Sequence, residues 1–236
     1  MKLSVLMPVY NEREWLEKII QLVLKQSVTG IDEIELIIVD DGSTDGSTEI
    51  IRMLQQEFPV RILSFFHPRN LGKGAAIRTA ISQMTGEVCI IQDSDLEYDP
   101  ANYPLALNPL INKSADCVYG SRFLNHPRSG QALSLWHYLG NRFITVLSNA
   151  FTRLQLTDVE TGCKAFRSDL FKSIPIRSKG FEFEVEVTSK IARRKTKIQE
   201  VWIRYQGRSY HKGKKNYWVD GLKAVWAIVR FHFAND

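Results

Sequence analysis

Apolar and polar positions along the first 120 residues alternate on two length scales. Short, nearly continuous apolar runs are separated by longer amphipathic segments, which is the pattern of a parallel sheet buried on both faces and covered by helices. The runs predict strands over residues 3–9, 34–39, 60–65, 87–92 and 116–119. The segments between them predict helices over residues 12–25, 45–56, 73–84 and 101–111, with Gly42, Gly72 and Gly86 at the turns. Beyond residue 120 the alternation becomes irregular. Residues 181–187 alternate strictly, yet Phe183, Val187 and Ile191 recur every fourth position and favour a helix; residues 197–205 then read as a strand. The last segment, 217–233, is a helix with Trp218, Leu222, Val225, Trp226, Val229 and Phe233 on one face. Such a stripe is core packing or, on a basic helix with two tryptophans, a face for a membrane interface.

Length and composition place these elements in one large domain with an appended helix: 236 residues, 44% apolar, without internal repeats or a low-complexity linker. The formal charge of +5 is uneven, because Lys and Arg crowd residues 190–215. An anionic partner follows, whether phosphorylated small molecule, membrane surface or nucleic acid, and the last is disfavoured because no recognition module accompanies the basic segment. Cys89, Cys117 and Cys163 have no paired spacing and read as reduced core residues of a cytoplasmic protein. No signal peptide is evident, and no run reaches the roughly 18 to 20 apolar residues that span a bilayer. The nearest, 132–151, is broken by His137, Asn141 and Arg142.

The candidate chemistry lies where the predicted strands end. After residues 87–92 come Asp93, Asp95 and Glu97 at alternate positions, either solvated acids that end a strand or the oxygen ligands of a hard divalent cation carrying a diphosphate. The first strand ends in Pro8-Val9-Tyr10-Asn11-Glu12 and the second in Asp40-Asp41-Gly42-Ser43-Thr44-Asp45, so all three motifs share one sheet edge. An aromatic ring there can stack on a base and a carboxylate can accept from its ring N–H. Asp45 reads as a helix cap, and Asp40 or Asp41 as a ligand contact. Asn70-Leu71-Gly72-Lys73-Gly74 opens a helix, with glycine amides and Lys73 available to a phosphate, although the P-loop spacing is absent.

Taken in order, these motifs together with Gly120-Ser121-Arg122 resemble the inverting family 2 glycosyltransferases of the GT-A fold. The resemblance covers essentially the whole chain. Thr161-Gly-Cys-Lys-Ala-Phe-Arg167, Phe181-Glu-Phe-Glu184 and Gly207-Arg-Ser-Tyr-His-Lys212 are most similar to the branch that includes dolichyl-phosphate mannose synthase and other polyprenyl-phosphate glycosyltransferases. It implies a GT-A catalytic domain over 1–216, with a nucleotide-sugar half (1–120) and an acceptor half (121–216), followed by an amphipathic helix over 217–236. It further implies a hexose moved from GDP-mannose or a UDP-sugar to a polyprenyl phosphate at the cytosolic membrane face.

By the same resemblance, Pro8, Tyr10, Glu12, Asp40, Asp41, Lys73 and Asp93 would hold the nucleotide sugar. Asp93, Asp95 and Glu97 would hold Mg²⁺ or Mn²⁺, although the resembling synthases commonly carry Gln where Glu97 stands. Asp93, Asp95 and Arg122 would serve catalysis. An anionic acceptor needs cations and no base, so Arg122, Arg128, Lys164, Arg208 and Lys212 form its expected clamp. Glu182 and Glu184 support the rival reading, a general base for a glycan or glycolipid hydroxyl, or else they merely favour a helix start. A nucleotide-sugar binding module without turnover stays a third reading. Trp136, Tyr138 and Leu139, with the final helix, suit peripheral membrane attachment, and monomer and homo-oligomer are both compatible with the chain.

Overall fold

A computed structural model of the chain describes residues 1–124, 135–194, 196–207 and 218–233. Five strands and four helices follow the predicted alternation: β1 (Lys2–Val9), α1 (Arg13–Leu24), β2 (Glu33–Asp40), α2 (Ser47–Glu57), β3 (Ile62–Phe66), α3 (Lys73–Gln83), β4 (Val88–Ile91), α4 (Tyr103–Ile111) and β5 (Cys117–Ser121). The second half supplies α5 (Leu135–Thr152), β6 (Lys164–Arg167), α6 (Ser168–Lys172), α7 (Phe183–Arg193), β7 (Ile198–Trp202) and α8 (Trp218–Phe233).

The strands form one sheet in the order β3-β2-β1-β4-β6-β5-β7. β1 pairs in parallel with β2, Lys2 opposite Glu33 through Val9 opposite Asp40, and with β4 from Leu3 opposite Val88. β6 is the exception, running antiparallel between β4 and β5. Its four residues escape the hydrophobic pattern because Lys164 and Arg167 flank a two-residue apolar core. Apolar side chains fill both faces of the sheet. Leu16, Ile19, Ile51, Leu54, Leu107 and Leu110 pack on one side; Ile77, Ala80, Phe183, Val187 and Ile191 pack on the other. The helix expected from the spacing of Phe183, Val187 and Ile191 is therefore present, with that stripe inward.

The stripe on α8 is divided differently from the core-packing expectation. Ala224, Ala227, Ile228 and Phe231 are the buried residues, whereas Leu222, Trp226 and Val229 face outward. Through this face of two alanines and two larger apolar side chains, α8 packs on α5 and α7. All three cysteines are buried thiols, and burial raises each to about 12. Among the described residues no helix is long and apolar enough to cross a membrane.

One buried acid ties the amino end of the sheet together. Glu35 accepts hydrogen bonds from Ser4 Oγ at 2.6 Å and from the Thr85 amide and hydroxyl at 2.7 Å each, and pairs with Lys2 Nζ at 2.9 Å. Burial alone would raise its pKa, but these donors outweigh burial and lower it to about 2. Their stabilisation is present above the ordinary carboxylate pKa and is lost as pH falls from there toward about 2. Glu35→Gln is accordingly expected to cost about 1 to 2 kcal/mol at pH 7. In urea unfolding, the gap between variant and wild type should close between pH 4.5 and 2.

Candidate active site

The carboxyl ends of β1, β2 and β4 adjoin because those strands are neighbours in parallel. The loops leaving β1 and β2 are stitched together. Asn11, at φ 51°, donates its backbone amide to Ser43 Oγ at 2.9 Å, and its Oδ1 accepts from the Thr44 amide at 2.8 Å. Asp45 accepts the Ser47 amide at the start of α2 and the Arg13 amide at the start of α1, so the expected cap serves two helices. Tyr10 stays partly exposed above this junction, while Glu12 is buried, its amide donating to Ser47 Oγ at 3.1 Å.

Asp40 and Asp41 are buried and hold loops. Asp40 accepts from the Ser43 amide at 3.0 Å. Asp41 accepts from the amides of Leu71 at 2.9 Å and Gly72 at 2.7 Å, and lies 2.6 Å from His67 Nδ1. The Gly72 amide is thus committed to Asp41 rather than turned toward a ligand. Gly72 has φ +98°, and a Cβ there would run into the Lys179 carbonyl. The Ala75 amide also reaches Lys179 O, at 3.2 Å, so the start of α3 is covered by the chain that leads into α7. For Gly72, the expectation of an open amide for a phosphate is corrected by this packing.

Past β4 the chain turns sharply. Asp95 Oδ1 accepts the Glu97 amide at 3.1 Å, Leu96 has φ 62°, and the Ser94 hydroxyl donates to Pro8 O at 3.2 Å. Glu97 accepts the Tyr205 hydroxyl at 2.6 Å, next to a bridge between Tyr98 and Tyr205. Among the described residues no group of three or more acids, histidines or cysteines converges on one point, so Asp93, Asp95 and Glu97 do not form a three-ligand nest. Two carboxylates one residue apart at a strand end still fit a divalent cation, because Mg²⁺ is commonly bound by one or two carboxylates with substrate phosphates completing its shell.

A ladder of alternating charge leads inward from Asp93. Lys73 Nζ, at the start of α3, lies 2.8 Å from Asp93 Oδ1 and 3.2 Å from Glu184 Oε1 on α7. The other oxygen of Glu184 pairs with Lys164 Nζ from β6. Lys164 is fully buried, and its ammonium also donates to the carbonyls of Val159, at 3.1 Å, and Thr161. Burial works against the charge on Lys73, but Asp93 and Glu184 outweigh it and raise its pKa. Lys164 therefore stands inside the protein beneath Glu184, not on an open acceptor surface.

Arg122 follows β5 directly. Its Nε and Nη2 engage the two oxygens of fully buried Asp158 at 2.6 and 2.8 Å, and the guanidinium lies over the Tyr205 ring with 5.2 Å to its centroid. Such a fork holds the cation in one orientation. Arg128, Arg208 and Lys212 lie outside the described residues. Sequence reasoning missed Asp158 and Glu160, whose signal was their position just before the Thr161-Gly-Cys-Lys run. Burial, with help from Glu184 and Asp158, raises Glu160 to about 7 against the opposing pull of Arg122 and Lys164. Gly162 lets this loop close on β4: its amide donates to Tyr98 OH at 2.9 Å, and a Cβ at that position would overlap the Asp93 carboxylate.

A mainly parallel sheet with acids at its central strand ends is the architecture of GT-A enzymes. The fold aligns with glucosyl-3-phosphoglycerate synthase from Mycobacterium tuberculosis, solved with Mn²⁺, UDP and phosphoglyceric acid, over 100% of this chain and 80% of that one, at a TM-score of 0.72 and 19% identity. Its complex with Mg²⁺ and UDP aligns with the same TM-score. The model of Glycosyl transferase family 2 matches residues 4–174, and the chain belongs to that family. Dolichol-phosphate mannosyltransferase of Pyrococcus furiosus is 27% identical, covering 98% of this chain and 64% of the relative. Undecaprenyl-phosphate 4-deoxy-4-formamido-L-arabinose transferase of Salmonella paratyphi B is 28% identical, covering 84% and 58% respectively. The chain thus spans less than two thirds of the length of these relatives.

Proposed function

We propose that the chain is the catalytic domain of a metal-dependent, inverting hexosyltransferase that moves a sugar from GDP-mannose or a UDP-sugar to a polyprenyl phosphate at the cytosolic face of a membrane. The observation that carries this reading is the disposition of Glu184. Its two oxygens are shared between Lys73 and Lys164, and accepting a proton from an acceptor hydroxyl would dissolve both contacts. A phosphate acceptor needs no such base, because it is already an anionic nucleophile. The names of the relatives, which act on dolichol phosphate and undecaprenyl phosphate, support the same acceptor class.

In this reading Pro8, Tyr10 and Glu12 border the nucleoside, while Asp40 and Asp41 hold the surrounding loops and present their edge to the base. Bound by Asp95 with Asp93 alongside, and Glu97 as a third ligand if its contact with Tyr205 is exchanged, Mg²⁺ or Mn²⁺ supplies stabilisation of the charge that builds on the leaving diphosphate. The Mn²⁺ and Mg²⁺ complexes of the structural neighbour support that choice of cation. Lys73 orients Asp93, and Arg122, held by Asp158, binds the acceptor phosphate; Arg128, Arg208 and Lys212 are assigned to the same clamp from the sequence alone.

The test is a panel of nucleotide sugars incubated with a short-chain polyprenyl phosphate and either Mg²⁺ or Mn²⁺. Lipid-linked sugar that vanishes with chelator is the expected product; transfer to a free glycan hydroxyl in its place would overturn the reading. Glu160 favours that second reading, since a carboxyl titrating near neutrality is matched to general-base work. Under it, Glu160→Gln would remove the rise of kcat with pH near 7, whereas phosphate transfer should leave the profile in place. A steric variant probes the donor side. Gly162→Ala pushes a methyl group into the Asp93 carboxylate and is expected to lower kcat about 10- to 100-fold with little change in the melting curve.

A further inference from the structure

The cations described at the site each have a carboxylate partner. Lys73 lies between Asp93 and Glu184, Lys164 takes the second oxygen of Glu184, and Arg122 is forked onto Asp158. Glu160 is the carboxyl left over. It is partly exposed, and among the described residues it makes no hydrogen bond or ion pair, although Arg122, Lys164 and Glu184 are near enough to act on its charge. A carboxyl set among charges without a partner of its own is suited to one that comes from outside the chain.

The loop that carries Glu160 is pressed onto Asp93. Gly162, two residues on, lies so close that a Cβ there would overlap Asp93 Oδ2, and the Gly162 amide is fixed to Tyr98 OH. The other oxygen of Asp93 takes Lys73, and the Phe181 ring centroid is 5.7 Å from that Nζ. Phe183 stands at the same distance and is fully buried, whereas Phe181 is 37% exposed. The chain leading to Phe181 is braced. Arg78 donates to Ile176 O at 3.0 Å, and fully buried Glu186 accepts the Arg177 and Ser178 amides at 2.8 and 2.7 Å. An apolar ring is thereby held partly in water beside Lys73, in a place fixed before any ligand arrives.

Asp93 is thus bordered on one oxygen by the loop of an unpaired carboxyl and on the other by a lysine beside a braced aromatic ring. A hexose matches both features. Its ring offers a face of C–H groups that packs on an aromatic side chain, and an edge of hydroxyls that donate to a carboxylate. A phosphate in the same place would be repelled by Glu160. Deepening the nucleotide-sugar reading above, on which it rests, we propose that Glu160 and Phe181 form the subsite for the transferred hexose, the ring against its C–H face and the carboxyl on its hydroxyls. Selection among hexoses then resides in the second half of the chain, apart from the half that holds the nucleotide.

Calorimetric titration in Mg²⁺, without any acceptor, separates the sugar from the rest of the donor. UDP-glucose, UDP-N-acetylglucosamine and GDP-mannose are titrated into the full chain, and the one bound most tightly is compared with its own nucleoside diphosphate. Glu160→Ala and Phe181→Ala are each expected to weaken the nucleotide sugar about tenfold or more, while the nucleoside diphosphate stays within about twofold of wild type. Glu160→Gln and Phe181→Tyr keep a hydrogen-bonding group and a flat ring, and should recover most of the affinity. Melting temperatures should stay near wild type, because both side chains are partly exposed. Wild-type affinity of either alanine variant for the nucleotide sugar, or equal weakening of nucleotide sugar and nucleoside diphosphate, would overturn the proposal. So would a Glu160→Gln variant that binds normally but loses the rise of kcat with pH, since that makes Glu160 the base. A wild type that binds none of the three would overturn the donor reading together with the subsite. Sugar-selective weakening without lipid-linked product would instead uphold the subsite and count against the acceptor reading alone.

Discussion

Glu184→Gln is expected to destabilise the fold by about 3 to 5 kcal/mol, the range for removing one partner of a buried ion pair. The loss is large because Lys164 has no exposed surface at all and would lose the carboxylate that pairs with it inside the protein. Urea unfolding with a donor-independent readout, such as far-UV circular dichroism, checks the magnitude. Adding Lys164→Met to Glu184→Gln should recover most of the loss, because an apolar chain of similar length replaces a buried amine that has lost its carboxylate. A single variant that unfolds at the wild-type urea concentration would remove the ladder from the account of stability. The same geometry makes Glu184→Gln a poor probe of general-base catalysis, since any fall in turnover would mix chemistry with packing. Glu182, whose described contact is the Gly180 amide at 3.1 Å, is the cleaner substitution.

Asp95→Ala is expected to do the opposite, sparing stability and removing turnover. Asp95 is partly exposed at a turn, so its loss should leave the unfolding midpoint nearly unchanged. Losing a cation that stabilises a leaving diphosphate is worth on the order of 10² to 10³ in kcat, about 3 to 4 kcal/mol. Two measurements are needed together: transfer under saturating donor, and Mn²⁺ binding by electron paramagnetic resonance in the presence of UDP. Weak Mn²⁺ binding with intact turnover would argue that transfer does not depend on this carboxylate. Asp93→Asn is a less clean variant, because it also strips Lys73 of one of its two counter-charges.

Much of the first half was legible in the sequence because each strand there is a nearly unbroken apolar run, and a run that stops at charged residues marks its own carboxyl end. The shared edge holding Tyr10, Asp41 and Asp93 follows from that alone once the strands are parallel neighbours. The second half was less legible for a matching reason. β6 has two apolar residues between cations, too few to carry a period, and α8 buries alanines, whose small side chains are less conspicuous in the sequence than the outward Leu222, Trp226 and Val229. The pairings within the site were not legible at all. Lys73 meets Glu184 across 111 positions and Arg122 meets Asp158 across 36, and no local pattern records such partners. Residue type gave the cations their candidate roles, and burial decides which of them, Lys164 above all, serves the protein's own interior.

The ladder also bears on how this chain can be recombined. Asp93 and Lys73 pair within the half that reads as the donor side, Glu184 and Lys164 pair within the half that reads as the acceptor side, and the Lys73–Glu184 contact joins the two neutral pairs across the seam. A chimera that took its first 120 residues from one relative and the remainder from another would carry each pair intact and have only that crossing contact to re-form. Grafts intended to change sugar or acceptor preference should therefore keep Lys73 and Glu184 matched across the join.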